Sequence, residues 1–218
     1  MSLHHSPRIV TDRLSVYLDA ANRKSYSGSG TLWRNLAQNT ANATLTGGPT
    51  FNSRNSGIIT FDGSNDYASL SLPTFSSTFS ICFWVQITTL VANSEIQLFA
   101  PSTDIASISM YGTTTSTIRF LSWNGSSARY ASQYIVQNKW YNLVMVNSSN
   151  TIYYINGAFD SLHASTGTLD SGTATIASIL GTARFLTGNI AAVSIYNKAL
   201  SSSEALQNYN ALKGRFNL

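Results

Sequence analysis

Apolar side chains alternate with small or polar ones along most of this 218-residue chain. The longest such stretch is Phe79–Ile87, in which phenylalanine, isoleucine and valine occupy every odd position. Because successive side chains of a β-strand point to opposite faces of a sheet, this spacing predicts a long strand with one face in a core. Shorter segments with strand character are 14–19, 58–61, 67–70, 96–99, 107–111, 118–121, 128–132, 140–146, 151–155, 174–180 and 190–196.

Turn residues separate these predicted strands. Glycine, serine and asparagine lie between them, and Asn156-Gly157 is a two-residue hairpin signal because both residue types tolerate positive φ. Many short strands joined by such turns predict an all-β chain of two antiparallel sheets, a jelly-roll sandwich rather than a seven-stranded immunoglobulin fold. We expect an N-terminal arm at residues 1–12, one domain over 13–218, and a long loop region crossing the sandwich at 22–50.

One helix is predicted near the C-terminus. Ser201 and Glu204 have the spacing of a capping box, in which each side chain accepts a hydrogen bond from the other residue's backbone N–H. Leu200 and Ala205 are placed to form a hydrophobic staple across that cap. Gly214 is the expected stop, since glycine readily adopts the left-handed conformation that ends many helices.

Composition excludes several classes of protein. Charged residues make up 10% of the chain, against about 25% in an average soluble domain, and the net charge of +4 comes from dispersed residues. No basic run suggests a nucleic-acid-binding arm. The single cysteine, Cys82, excludes an intramolecular disulfide and is expected to pack as a small hydrophobic residue.

The same sequence predicts neither export nor insertion into a membrane. Residues 1–10 contain no apolar segment of the signal-peptide type, and no apolar run in the chain approaches the length of a membrane span. We therefore expect a protein that is made in the cytoplasm and does not insert into a membrane.

Catalytic motifs are missing as well. Glycoside hydrolysis needs two carboxylates beside the scissile bond. The chain has only two glutamates: Glu95 has no acidic partner nearby in the sequence, and Glu204 is assigned to the helix cap. No Gly-x-Ser-x-Gly elbow, Cys/His metal spacing or phosphate-binding glycine loop occurs. The prediction is a protein that is not an enzyme.

Four blocks of sequence resemble a known family. They are residues 9–33, which end in Ser-Tyr-x-Gly-Ser-Gly-Thr-x-Trp, the motif Phe61-Asp-Gly-Ser-Asn-Asp-Tyr67, the pair Trp140-Tyr-Asn-Leu-Val144 and Tyr153-Tyr-Ile-Asn-Gly157, and the closing segment 181–216. Together they resemble laminin-G-like, concanavalin A-like domains. The first and last blocks are similar to the version of that domain found in virion proteins of tailed bacteriophages.

The resemblance implies a jelly roll with one short C-terminal helix, and a structural role. We expect a surface-exposed virion protein of a tailed phage, either a capsid decoration protein or a small fibre or tail component. Its expected partners are other virion proteins and further copies of itself, with a trimer as the oligomer that the resemblance suggests. Where many relatives have an acidic residue in the last strand, this chain has Ala191-Ala192.

Some laminin-G-like domains bind calcium, and the close pair Asp62 and Asp66 is the one candidate here. Calcium takes six to eight oxygen ligands, however, and two neighbouring aspartates more often shape a turn. The favoured interpretation is a turn, and no cofactor is expected.

Glycan binding is the alternative function. Tyr111, Trp123, Asn124 and Arg129 lie around predicted loops, as does Tyr130. Sugar-binding sites stack a pyranose ring on an aromatic side chain and surround it with amide and charged groups, so these residues are candidates for a site that binds host surface glycans. The competing interpretation is that they only line the surface of the sheet.

Overall fold

The computed structural model describes residues 7–37, 42–103, 105–114, 117–165 and 167–218. Within these ranges sixteen strands form two antiparallel sheets of eight, packed face to face, with a single α-helix near the C-terminus. The predicted all-β sandwich with one terminal helix is confirmed.

The strands are numbered in chain order. The first sheet contains, in spatial order, β14 (Ala158–Ala164), β13 (Asn150–Ile155), β12 (Trp140–Asn147), β7 (Phe79–Ile87), β16 (Thr187–Tyr196), β5 (Ile58–Asp62) and β4 (Thr50–Asn52), with β1 (Leu14–Asp19) also paired to β16. The second contains β11 (Ala128–Val136), β10 (Thr117–Asn124), β9 (Ile105–Gly112), β8 (Glu95–Pro101), β15 (Gly172–Ile176), β6 (Tyr67–Leu72), β3 (Ala43–Thr46) and β2 (Leu32–Trp33). Helix α1 (Ser202–Leu212) continues into a 3-10 turn, Lys213–Phe216.

The main core lies between the two sheets. It includes the odd-numbered residues of β7 and, from the second sheet, residues such as Ile108 and Phe120. Trp33 is fully buried there and anchors the segment that follows β1. Residues 22–50 are therefore not only a loop region, as predicted, because β2 and β3 within them extend the second sheet.

Strand β7 is buried on both faces, not on one as its sequence pattern predicted. Cys82 and Trp84 point away from the main core, yet both are about 3% exposed. Helix α1 and the 3-10 turn after it cover this outer face: Tyr209 stacks on Trp84 at 5.7 Å between ring centroids, and Phe216 at 4.4 Å. The C-terminal segment therefore covers the outer face of the first sheet around β7.

The described part of the predicted arm contacts the domain. Val10 is buried; its backbone N–H donates to Asn208 Oδ1 at 2.8 Å, and its carbonyl accepts from the Tyr196 hydroxyl at 3.0 Å. Residues 7–12 thus pack against α1 and β16 because the helix presents polar partners for their backbone. Residues 1–6 lie outside the described ranges. The division into an arm (1–12) and a domain (13–218) stays a prediction.

The predicted helix start is confirmed and the predicted stop is wrong. The Glu204 N–H donates to Ser201 Oγ at 3.3 Å, and the Ser201 N–H donates to Glu204 Oε2 at 2.9 Å. Gly214 does not end the helix, because the chain tightens into the 3-10 turn that carries Phe216 onto Trp84, and Asn217 is the left-handed residue (φ 58°). None of the helical segments in the described ranges combines the length and the apolarity needed to cross a bilayer.

Local turn chemistry explains two further boundaries. Asn156 and Gly157 have φ of 52° and 76°, which confirms the hairpin signal, and β14 follows as a strand that the alternation did not reveal. The segment predicted at 174–180 ends early, since β15 stops at Ile176 and the next residue, Ala177, has φ of 70°.

Candidate functional site

The outer face of the second sheet carries four aromatic side chains around one arginine, which we call the aromatic face: Tyr111, Arg119, Trp123, Tyr130 and Tyr134. Residues of β10 alternate, so Ile118 and Phe120 enter the core while their odd-numbered neighbours point outward. Strand pairing places Tyr111 opposite Arg119 on one side, and Tyr134 opposite it on the other. Register therefore gathers residues from three strands on one surface.

Arg119 holds the middle of the aromatic face. Its guanidinium carbon lies 4.7 Å from the ring centroid of Tyr130 and 5.6 Å from that of Tyr134. Its Nε and Nη2 both donate to the carbonyl of Ala131, at 3.3 and 2.8 Å. The hydrogen bonds fix the guanidinium of Arg119, and its cation–π contacts in turn orient the two tyrosine rings.

At one end of this face is a cavity of about 200 Å³. Its walls come from β8, β10, β11 and the loop between β15 and β16, through Glu95, Leu121, Trp123, Ala128, Tyr130 and Arg184. The two rings and Leu121 supply apolar surface. The two charged residues supply the polar part of the lining.

Glu95 and Arg184 form an ion pair at the cavity, with 3.2 Å between Oε2 and Nη1. Arg184 reaches this position from an unusual backbone conformation, because its φ of 53° is in the left-handed region that non-glycine residues rarely adopt. A hydrogen bond of 2.8 Å from the Gln97 N–H to the Arg184 carbonyl holds the loop there. Backbone conformations of this kind carry a cost and cluster at binding sites.

The arrangement matches the chemistry of a small polar ring. Trp123 and Tyr130 offer flat apolar surface for the C–H face of a sugar, the carboxylate of Glu95 accepts hydrogen bonds from hydroxyls, and the guanidinium of Arg184 donates to them. Most binding sites combine such apolar walls with a few placed polar groups.

The structure brings together three of the five residues predicted for a glycan site. Trp123 and Tyr130 line the cavity. Tyr111 lies on the same face, where its ring meets that of Tyr130 edge-on at 6.5 Å and its hydroxyl donates to Asn93 Oδ1 at 3.3 Å. All three therefore remain candidates for contact with a ligand.

The other two predicted residues, Asn124 and Arg129, make hydrogen bonds within the β10–β11 hairpin. Asn124 Oδ1 accepts from the N–H groups of Ser126 and Ser127, at 3.0 and 2.8 Å, so this side chain shapes the β10–β11 turn. Arg129 pairs with the buried Ser122, on the opposite side of β11 from Tyr130, and its guanidinium donates to Ser127 Oγ. Neither side chain lines the cavity.

Sequence reasoning missed the cavity's polar residues. Glu95 was weighed only as a catalytic acid, and Arg184 was not considered. They are far apart in the chain and carry no local motif, so only the sheet pairing brings them together. Tyr130 was among the predicted residues, and strand pairing places it across from Leu121 of β10.

The calcium candidates form a turn. Asp66 Oδ2 accepts from the Asp62 N–H at 3.0 Å, and Asp62 Oδ1 accepts from the Ser64 N–H at 2.8 Å. Burial raises the pKa of the Asp66 carboxyl. Over the part of the chain that the structure describes, His, Cys, Asp and Glu side chains nowhere gather in a group of three or more that could hold a metal ion.

The Cys82 thiol and the Glu204 carboxylate both have structural roles. Burial raises the pKa of the Cys82 thiol to about 12, which keeps it protonated at neutral pH. Glu204 accepts from Lys198 Nζ at 2.8 Å as well as capping α1, and it lies over the first sheet, whereas Glu95 lies on the outer face of the second. The two glutamates therefore do not form a catalytic pair.

Residues 62–205 match the Laminin_G_3 family model, which is described as the concanavalin A-like lectin/glucanases superfamily. No curated protein matches the sequence. Similar solved structures include one described as "Cell entry of botulinum neurotoxin type C is dependent upon interaction with two ganglioside molecules" (TM-score 0.70, 17% identity) and the binding domain of botulinum neurotoxin DC in complexes with rat synaptotagmin II (0.69, 16%) and with SialylT (0.68, 16%).

In each case the alignment covers 93% of this chain and 52% of the other, so the chain spans about half the length of these structures. At such low identity the similarity shows the fold alone. The family match, in contrast, covers well over half of the chain and includes strands of both sheets. The chain therefore belongs to the Laminin_G_3 family of concanavalin A-like jelly-roll domains.

Proposed function

We propose that this protein is a lectin-like module without enzymatic activity, which binds glycans through the cavity on its second sheet. One observation carries the proposal: Trp123 and Tyr130 form apolar walls directly beside the Glu95–Arg184 ion pair. The fold adds support, because structures of the same architecture include a toxin described as interacting with gangliosides and a complex with SialylT. Glu204 lies over the first sheet and Glu95 on the outer face of the second, so the two glutamates do not flank one site as the carboxylate pair of a glycosidase does, which supports a role in binding.

The cavity is small, and a single copy is expected to bind weakly. Adhesion through many copies compensates, since linked weak sites gain avidity without new contacts. The test is therefore a glycan array probed with a multimer of the chain, with and without calcium. We expect binding that falls at least tenfold in Trp123→Ala while the melting temperature stays close to that of the wild type.

Leu32→Ala is the matched control. This apolar residue is 39% exposed and lies on β2, at the opposite edge of the second sheet from β10 and β11, so its truncation should leave glycan binding unchanged. If the wild-type multimer binds no glycan, or if Trp123→Ala binds as well as the wild type, the proposed site is wrong.

A second role rests on a separate surface. Phe159 (61% exposed), Leu162 (53%) and Leu206 (46%) are large apolar side chains on β14 and α1, and we call them the apolar patch. Phe159 meets the ring of Tyr154, and Leu162 lies opposite Ile152, both on the outer side of the first sheet. Exposed apolar groups of this kind often mark a contact with another protein.

We propose that the apolar patch docks the chain onto a neighbouring virion protein of a tailed phage, as a capsid decoration protein or a small fibre or tail component. The phage-like first and last sequence blocks support this role, and so does the closed outer face that leaves these side chains at its margin. Location on the virion and assembly into a homo-oligomer, with a trimer as the first candidate, are parts of the same proposal.

Mass spectrometry of purified particles tests the location, and sedimentation velocity tests the oligomer. The double variant Phe159→Ser/Leu162→Ser should fold normally and fail to join particles. It is a sharper variant than deletion of residues 1–12, because Val10 is part of the fold. Absence of the protein from particles of its source phage would refute the virion role.

A further inference from the structure

The polar lining of the cavity is a pair of opposite charges. Glu95 and Arg184 lie 3.2 Å apart, and their side chains are 25% and 43% exposed, so both remain within reach of a ligand. Because each charge already faces its opposite, the pair presents an acceptor and a donor side by side with little net charge.

No nearby cation is left without a partner in the described part of this face. Arg119 is engaged with the Ala131 carbonyl and two tyrosine rings. Arg129 lies on the other side of β11, where it donates to Ser127 and to the Ala128 carbonyl. A ligand carboxylate in the cavity would therefore have Arg184 as its only candidate cation among the residues that line it.

We infer that the cavity selects an uncharged sugar ring carrying two adjacent hydroxyls, in preference to an acidic sugar. The inference rests on the proposed glycan-binding function. One hydroxyl donates to the Glu95 carboxylate while its neighbour accepts from the Arg184 guanidinium, so the diol uses both groups and leaves the pair intact. An acidic sugar has to share the single guanidinium of Arg184 with Glu95 and so place two carboxylates close together, which is unfavourable.

The volume of the cavity is suited to a single sugar ring. The volume of about 200 Å³ is below that of sites for drug-sized ligands, roughly 300–1,000 Å³. Trp123 and Tyr130 lie beside the ion pair, so a ring whose hydroxyls reach the charges presents its C–H face to them. The ligand unit is thus the terminal ring or a branch of a neutral glycan.

Matched sugar pairs test this selectivity directly. The multimeric chain is titrated against polymers bearing glucose or glucuronic acid, galactose or galacturonic acid, and mannose or mannuronic acid, in which the members of each pair differ by one carboxylate. We expect the neutral member of at least one pair to bind about tenfold more tightly than its acid.

Glu95→Gln is the decisive variant. It keeps the size of the side chain but frees Arg184 from its anion, so the preference for the neutral sugar should disappear or reverse. Glu204→Gln is the control, because this glutamate lies over the first sheet and its loss should leave the ratio unchanged. Melting temperatures of both variants establish that the fold is intact.

The outcomes separate the two claims. If no polymer of any pair binds, the proposed glycan-binding function fails and the selectivity fails with it. If the wild type binds acidic sugars as well as or better than their neutral partners, or if Glu95→Gln leaves the ratio as it was, the selectivity is wrong while glycan binding stands.

Discussion

Substitution of Arg215 by methionine should destabilise the protein strongly, although this residue lies three positions before the last residue of the sequence. Its Nη1 donates to Asp19 Oδ1 at 2.9 Å, and the two side chains are 13% and 9% exposed. Its Nε and Nη2 donate to the carbonyls of Asn55 and Gly57 at 3.1 and 3.0 Å. The guanidinium thereby joins the C-terminal segment to β1 and to the turn before β5.

The size of the destabilisation follows from the unpaired charge that Arg215→Met leaves on Asp19. Methionine preserves much of the apolar stem but leaves the Asp19 carboxylate buried, with bonds from the Tyr17 hydroxyl and the Ala21 N–H. Loss of one partner of a buried ion pair costs about 3–5 kcal/mol. For a chain of this length each kcal/mol lowers the melting temperature by about 2–4 °C, so we expect a decrease of about 6–20 °C.

Urea unfolding followed by tryptophan fluorescence measures this free energy. Trp84 and Trp140 both contact Phe216, the residue after Arg215, and so report on the same segment. Arg54→Met is the matched control, since Arg54 is exposed and its loss should change the free energy of unfolding by no more than about 0.5 kcal/mol.

A double variant that also removes the charge of Asp19 distinguishes the contribution of the ion pair from that of packing. In Asp19→Asn/Arg215→Met no buried charge is left unpaired, so the double variant should be less destabilised than the sum of the two single variants. If Arg215→Met unfolds within about 1 kcal/mol of the wild type, or if the two substitutions are simply additive, the buried pair does not hold the C-terminal segment as argued.

Three further predictions concern the first sheet and the helix that packs on it. Gly157→Ala should cost about 1–3 kcal/mol in urea unfolding, because φ is 76° and the added Cβ would lie 2.9 Å from Tyr209 Cβ. Cys82 should resist a thiol reagent at pH 8 until urea unfolds the chain, since burial raises its pKa to about 12; rapid labelling of the native protein would contradict this. Lys198 and the Ser201 N–H hold the pKa of Glu204 below its ordinary 4.5, so its contribution to stability is present above that pH and is lost as pH falls through the lower folded-state value; Glu204→Gln should flatten the melting temperature between pH 5 and 3.

Local patterns predicted the parts of the fold that depend on neighbouring residues. Alternation located most strands, and the Ser201–Glu204 cap and the Asn156-Gly157 turn were correct because each is decided within a few residues. The pattern of Phe79–Ile87 misled in one respect. Its even-numbered residues look as if they face solvent, but the C-terminal segment, more than a hundred residues later, covers them. The sequence of the strand itself does not indicate that it is covered.

The site could be predicted only in part for a similar reason. Trp123 was found because it is an aromatic residue close to a loop, yet the side on which its neighbours lie depends on how β10 pairs with β11. Register places Ala128, not Arg129, opposite Trp123, so the arginine points the other way. Arg184 joins Glu95 only through a left-handed backbone conformation after β15, which single-sequence reasoning has no means to foresee.

The C-terminal segment decides which surface of the sandwich remains open to a ligand. Trp84 on the outer face of the first sheet would be a good platform for a sugar ring, but Tyr209 and Phe216 already stack on it. The second sheet has no such cover over Trp123 and Tyr130 in the described residues, so these rings remain partly exposed at the cavity. The apolar patch lies at the margin of the covered face, away from the cavity. A copy docked through the patch therefore keeps its cavity free, and an array of docked copies is the arrangement in which weak glycan sites gain avidity.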